Sequence, residues 1–353
     1  MEMHEIQPEI SQALLTNPGI GFIAAPELMD AEPNALRDSR GQIVAPYKFT
    51  PDSRTWNHPD SGVLFCSCRW KDIEHLQGTY DWRCLEEKLD AAAALGCTCI
   101  VRISPCALSA QEDIPAWLRM RYPEEPEFPF WRIDPNTTEY PRLWAALIRN
   151  FAARYDGDPR ITSVDMAIVG AWGEGGGTEN MEENAMKTVI AAYMEGFPHT
   201  PLTALLHDPK SLACIRAFPK QVGFRVDCLG DMGGFHGDRW SHMLDFYPEN
   251  IQNFQMGDAW QEAPVVFEAC WHMNDWYLQG WDIDYIIDES LKWHISSYNS
   301  KGTTVPEAWK DSVTRWVRRM GYRFELHLAR WQARGTAGKP WRWEMLVLNT
   351  GVA

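Results

Sequence analysis

Two glutamates stand where apolar runs end, Glu174 in ITSVDMAIVGAWGEGGG and Glu268 in APVVFEACWH. Both runs have the length and β-branched content of short buried strands, and each glutamate falls where strand gives way to loop. Hydrolysis of a glycosidic bond by the usual route needs one carboxylic acid to protonate the leaving oxygen and one carboxylate to act as nucleophile or base. The two must come from different strands to flank the bond. Glu174 and Glu268 are therefore the expected catalytic pair. The plainer alternative, that Glu174 merely caps a loop and Glu268 forms a salt bridge, is the weaker one, because a buried carboxylate left unpaired is costly.

Further polar and aromatic residues are expected on the same rim as substrate contacts. Arg102 could hold the nucleophile's carboxylate in a bidentate bond, or serve in a structural ion pair inside the fold. His207 and Asp208 end one apolar run. Arg225, Asp227 and Asp231 lie on or just after another, and residues 225 and 227 share one side of a strand, so Arg225 and Asp227 can pair. Trp271 and His272 follow Glu268 and could floor a sugar site. Tyr298 and Asn299 are candidates for hydroxyl contacts or for orienting Glu268. The sequence holds 18 tryptophans, and Trp70, Trp172, Trp271, Trp276 and Trp281 sit at expected strand ends and loops. Aromatic faces stack on sugar rings, although a large aromatic is as readily core filler.

Two other readings stay open. His207, Asp208, Asp227, Asp231, His236 and His272 could assemble a divalent-metal site of a barrel hydrolase, since imidazole and carboxylate suit such ions. No HxH pair marks the first expected strand, and the spacing of these residues matches no known ligand set. A carbohydrate-binding barrel without catalysis is the third reading, and the two well-placed glutamates count against it.

The elements that would position these residues alternate strand and helix from Gly62 onward, the pattern of a parallel sheet with crossover helices. Expected strands are Val63–Arg69, Cys97–Ser104, an ill-defined third near Phe128–Asp134, Ser163–Ala171, Leu202–His207, Gly223–Cys228, Val265–Cys270 and Ile295–Tyr298. Amphipathic helices are expected between them, for example over Trp82–Leu95, Tyr140–Tyr155 and Ile283–His294. Eight such strands without a glycine-rich nucleotide fingerprint favour a closed (β/α)₈ TIM barrel, whose active site lies at the C-terminal strand ends. The expected organisation is an irregular N-terminal wrap over residues 1–61, the catalytic barrel over 62–321, and a C-terminal β segment over 322–353. That segment, Arg323–Trp331 and Trp341–Asn349 about a turn, reads as a short hairpin or an incomplete β-sandwich, because two strands alone are marginal.

Trp70-Lys71-Asp72-Ile73-Glu74 followed by Gly78-Thr79-Tyr80-Asp81-Trp82 resembles the stretch after the first strand of clan A glycoside hydrolases, notably family 42 β-galactosidases. Ile114-Pro115-Ala116-Trp117-Leu118 is similar to their "P-x-W-L" element. The resemblance spans about residues 60 to 300. It implies an acid/base after strand four and a nucleophile after strand seven, positions that map onto Glu174 and Glu268. Asn17-Pro18-Gly19-Ile20-Gly21-Phe22 and Gly170-Ala171-Trp172-Gly173-Glu174 look closer still to a poorly characterised bacterial barrel family with a C-terminal β-sandwich. One departure stands out. Clan A enzymes usually carry Asn before the acid/base, where it contacts the sugar 2-hydroxyl, and this chain has Gly173.

Composition narrows the partners. A net charge of −15 argues against a nucleic-acid backbone, which needs a basic patch, and leaves a neutral oligosaccharide or polysaccharide as the expected partner. No apolar run is long enough to span a bilayer, and the N-terminus lacks a basic region followed by an apolar core. The expected location is cytoplasmic, or secreted with the signal removed. Nine cysteines lack zinc-type spacing, and Cys66/Cys68 and Cys97/Cys99 fit as reduced core residues. No cofactor is implied. The oligomeric state, the sugar and the linkage are left open by the sequence.

Overall fold

The computed structural model describes residues 2–24, 35–37, 43–46, 62–105, 114–123, 133–170, 173–233, 240–271, 273–301 and 305–353. In chain order its strands are β1 (Met3–Ile6), β2 (Gly21–Ala24), β3 (Ala35–Arg37), β4 (Ile43–Pro46), β5 (Val63–Arg69), β6 (Thr98–Ser104), β7 (Ile161–Asp165), β8 (Leu202–Leu205), β9 (Gly223–Leu229), β10 (Val265–Ala269), β11 (Ser297–Asn299), β12 (Phe324–Gln332) and β13 (Trp343–Asn349). Eight of them, β2 and β5 to β11, close into a parallel barrel in sequence order. Helices such as Arg83–Ala94, Glu139–Tyr155, Glu183–Gly196 and Ile283–Lys292 run between the strands. The fold is the expected (β/α)₈ barrel.

Two strand assignments change. The barrel's first strand is Gly21–Ala24, which pairs with β11 and β5 inside the stretch expected to be irregular. The expected strand near Phe128–Asp134 falls mostly outside the described residues, and Ile133 and Asp134 are not in a strand. The added first strand offsets the expected one that the closed barrel does not include, so Glu174 still follows the fourth barrel strand, β7, and Glu268 sits on the seventh, β10.

The main apolar core lies between barrel and helices, where Trp70, Trp144, Trp276 and Trp316 are fully buried. A second, smaller cluster of Ile23, Val63, Phe65, Ile100 and Val266 fills the barrel interior. Successive strand residues point to opposite sides, so on β6 Ile100 leads to Arg102, and on β10 Val266 leads to Glu268. An apolar floor thereby carries a charged layer above it. The remaining strands stand apart from the barrel sheet: β1, β12 and β13 form a three-stranded antiparallel sheet, and β3 pairs with β4. The C-terminal hairpin is thus joined by an N-terminal third strand, Met3–Ile6 against Ala329–Gln332, an arrangement less marginal than two strands alone.

Candidate active site

Four strands carry the charged layer. Arg102 on β6 rests over the Phe65 ring, 4.6 Å from its centroid, and donates to Asp165 Oδ2 on β7 through Nε (3.0 Å) and Nη2 (2.5 Å). Asp165 also lies 3.2 Å from Arg225 Nε. Arg225 on β9 donates to Asp227 Oδ1 at 2.5 Å and to the Gly173 carbonyl at 2.5 Å. The order Arg102, Asp165, Arg225, Asp227 is a ladder of alternating charge across the barrel. Burial opposes the charge of Arg225, but Asp227 and Asp165 outweigh it and hold its pKa above the ordinary value.

The last member of the ladder, Asp227, meets two further carboxylates, Glu174 and Glu268. One oxygen each from Glu174, Asp227 and Glu268 can be chosen so that all lie within 4.8 Å of one another. Glu268 accepts from Asn299 Nδ2 at 3.1 Å and pairs with Lys301 Nζ at 3.3 Å. Asn299 faces Glu268 directly across the parallel pairing of β10 and β11. Glu174 meets no such donor among the described contacts. Its side chain stays open to solvent at the rim, yet protein mass around it and the charges of Asp227 and then Glu268 push its pKa up to about 7. All three causes oppose ionisation, and Arg225 and Lys301 offset them only in part.

Glycines bring Glu174 to this place. Between β7 and the short turn at Thr178–Asn180, Gly170, Gly173, Gly175 and Gly177 all have positive φ, a region that costs a side chain energy. At Gly173 the need is also steric, since a Cβ there would come within 2.7 Å of Arg102 Cζ. An asparagine, usual at this position in clan A, would have to displace the Arg102 guanidinium.

A histidine and aromatic wall flanks Asp227. His207 stacks on Phe246 (centroids 4.3 Å apart), with its Nδ1 3.8 Å from Asp227. Burial, then the neighbouring His242 and Arg225, lower its pKa to about 3, so it is neutral at neutral pH. His242 differs. Its Nδ1 is 2.7 Å from Asp231 Oδ2, and although burial opposes the charge, the bonds to Asp231 and Cys228 raise its pKa to about 9. Trp240 packs against His242 and is itself exposed.

Of the residues expected from sequence, Glu174, Asp227, Glu268, Asn299, Arg225 and His207 meet at this rim. Arg102 belongs to the ladder through Asp165 rather than reaching Glu268. Trp70 is corrected: it is fully buried, and its Nε1 donates to Glu74 Oε2 at 2.6 Å, while Gly78 N donates to Glu74 Oε1 at 2.7 Å. The W-x-x-I-E motif therefore fixes a turn. Tyr298 is also corrected, since it is fully buried with its ring 5.0 Å from Phe22 and 4.8 Å from Trp316, on the helix side of the sheet. Asp208 caps the helix Pro209–Ile215 by accepting from Ser211 N and Oγ. Trp271 is exposed just beyond β10 with φ of 56°. Trp172, His236 and His272 lie outside the described residues. Sequence reasoning missed Asp165 and Lys301, and both had a signal: Asp165 alternates with Ser163 on its strand, and Lys301 follows Asn299 by two.

No protein family and no curated protein matches the sequence. Solved structures do match by fold. The chain is similar to the catalytic domain of a β-amylase from Paenibacillus polymyxa, with a TM-score of 0.51 and 10% identity over 72% of this chain and 90% of that one. It is also similar to an endo-glycoceramidase II from Rhodococcus sp., with a TM-score of 0.51 and 14% identity over 94% of this chain and 82% of that one. At such identities the likeness is one of fold, a (β/α)₈ barrel. No helix among the described residues is long and apolar enough to cross a membrane.

Proposed function

We propose that the protein is a glycoside hydrolase in which Glu174 is the acid/base and Glu268 the nucleophile of a retaining reaction. The observation that carries this reading is the carboxylate pair itself, with oxygens of Glu174 and Glu268 no more than 4.8 Å apart on the rim. Carboxyl groups about 5–5.5 Å apart suit direct attack on the anomeric carbon, whereas about 6.5–9.5 Å leaves room for an intervening water. Their environments also differ in the sense the roles require. Glu174, with a pKa near 7, keeps a proton to donate to the leaving oxygen. Glu268 has a cation and an amide donor against its oxygens, which stabilise its negative charge. Glu268 attacks the anomeric carbon as Glu174 protonates the departing oxygen; Glu174 then takes a proton from water as that water displaces Glu268.

Charge balance favours a neutral sugar. With Glu174 protonated, the four anions Asp165, Asp227, Asp231 and Glu268 are matched by four cations, Arg102, Arg225, His242 and Lys301. The exposed Trp240 and Trp271 supply faces of the kind that stack on sugar rings. The structural neighbours, a β-amylase and an endo-glycoceramidase, agree with an oligosaccharide or glycolipid substrate. Turnover of a panel of aryl glycosides and polysaccharides, with the anomer of the first product read by NMR, tests the proposal. Retained configuration is expected, and inversion would turn Glu268 into a base.

The same three carboxylates favour a second reading, a divalent-metal hydrolase, because they could converge on one ion. Two of them already face cations, Asp227 with Arg225 and Glu268 with Lys301, which leaves little charge for a metal. Asp208 and Asp231, expected ligands in that reading, are engaged by Ser211 and His242. Activity that disappears on chelation and returns with added divalent ion would select it.

A further inference from the structure

Away from the rim, the thiol of Cys84 meets that of Cys68. Cys84 is the second residue of the helix Arg83–Ala94 and half-buried, whereas Cys68 lies buried on β5 with its sulfur 3.2 Å from that of Cys84. The two are chemically unequal. The hydrogen bond with Cys68, then the charge of Lys88 one turn along the helix, lower the Cys84 pKa against the effect of burial. The amides of a helix's first turn favour a thiolate at such a position as well. The same contact and burial raise the pKa of Cys68.

Two other thiol couples lack this asymmetry or this access. Cys66 and Cys99 are 2.7 Å apart but both are fully buried. Cys228 contacts Cys270, and that contact together with burial pushes its thiol up. A half-buried thiol with a lowered pKa, in contact with a second thiol that can resolve it, is the arrangement that reacts with peroxides and then closes.

We propose that Cys84 and Cys68 form a peroxide-reactive dithiol, in which a hydroperoxide oxidises Cys84 and Cys68 then closes a disulfide tying the helix Arg83–Ala94 to β5. The Cys84 thiolate attacks the outer peroxide oxygen, breaking the O–O bond to give a sulfenic acid and, after protonation, an alcohol or water. Cys68 sulfur then attacks Cys84 sulfur and releases water, its thiol proton leaving with the hydroxide. In sum, two thiols and one hydroperoxide give one disulfide, one alcohol or water, and one further water. A small-molecule thiol reverses the bond by exchange.

The test is peroxide treatment of the folded chain, alkylation of the remaining thiols and peptide mapping. The Cys68 and Cys84 peptides should appear joined, two hydrogens lighter than the sum of the separate thiols, and should separate with a thiol reductant. In Cys68→Ser, Cys84 should accumulate as a sulfenic acid that a cyclic 1,3-diketone labels; in Cys84→Ser, Cys68 should stay reduced. Without peroxide, Cys84 should alkylate about tenfold faster than the buried Cys214, because it is both more accessible and lower in pKa. Wild-type protein in which other cysteines oxidise while Cys84 remains fully alkylatable would overturn the proposal. Oxidation of Cys68 at the wild-type rate in Cys84→Ser would do the same. The wild-type crosslink decides the matter even if a variant fails to fold.

Discussion

Gly173 lies against the Arg102 guanidinium so closely that a Cβ on the glycine would stand 2.7 Å from Arg102 Cζ, and the glycine's φ is +72°. The residue before the proposed acid is thus dictated by the ladder beneath it, since Arg102 holds Asp165 and Gly173 O accepts from Arg225. Gly173→Ala should cost about 1–3 kcal/mol from the left-handed backbone alone, with more from displacement of Arg102. Denaturant unfolding measures the loss, and activity should fall with it because Glu174 is the next residue. A variant as stable and active as the wild type would remove the steric argument.

Asp165 carries two guanidinium groups, Arg102 at 2.5 Å and Arg225 at 3.2 Å, and is itself almost wholly buried. Asp165→Asn takes the compensating charge from both while keeping the shape. Breaking a buried pair in this way costs about 3–5 kcal/mol, so this variant should be among the least stable at the barrel's centre. Equilibrium unfolding gives the number. A change under about 1 kcal/mol would mean that water or another anion already serves the arginines.

The two glutamates should separate by leaving group. Glu268→Gln removes the nucleophile and should lower kcat by several orders of magnitude on every substrate. Glu174→Gln should leave the first step nearly intact for substrates whose leaving group needs no proton, because general acid catalysis contributes about 10²–10⁴-fold only where protonation is required. Single-turnover release of an activated phenol, compared with an alkyl glycoside, makes the distinction. Equal losses on both would deny Glu174 the acid role.

Much of this site was legible in the residues. The apolar runs marked seven of the barrel strands, six of them to within about two residues, whereas β7 ends at Asp165 rather than at the expected Ala171, and strand alternation paired Arg225 with Asp227. The same alternation, pressed further, excludes Tyr298: adjacent residues of a strand face opposite sides, so with Asn299 facing Glu268 across the barrel wall, Tyr298 has to point to the helices. Arg102 could not be resolved that way. Its reach depends on strand order, which sets β6 beside β7 and away from β10, and so gives it Asp165. The first strand escaped detection because four residues, Gly21–Ala24, carry too short a pattern. It exists through pairing with Ser297, Tyr298, Val63 and Leu64, contacts that are remote in the chain.

Asp227 gives the pH prediction its sign. Burial is the largest cause of the raised Glu174 pKa, and the charge of Asp227 is the next. An acid catalyst must be protonated, so kcat/KM on an unactivated glycoside should fall as pH rises through about 7. Asp227→Asn removes one repelling charge and leaves Arg225 less neutralised, and both changes favour ionised Glu174. The alkaline limb of the profile should therefore move to lower pH, with part of the maximal rate lost if Asp227 also touches substrate. An activated aryl glycoside, which needs no proton in the first step, should lack the shift when that step limits the rate. If Asp227→Asn leaves the limb in place, some other group sets it, and Glu174 is not the residue titrating near neutrality.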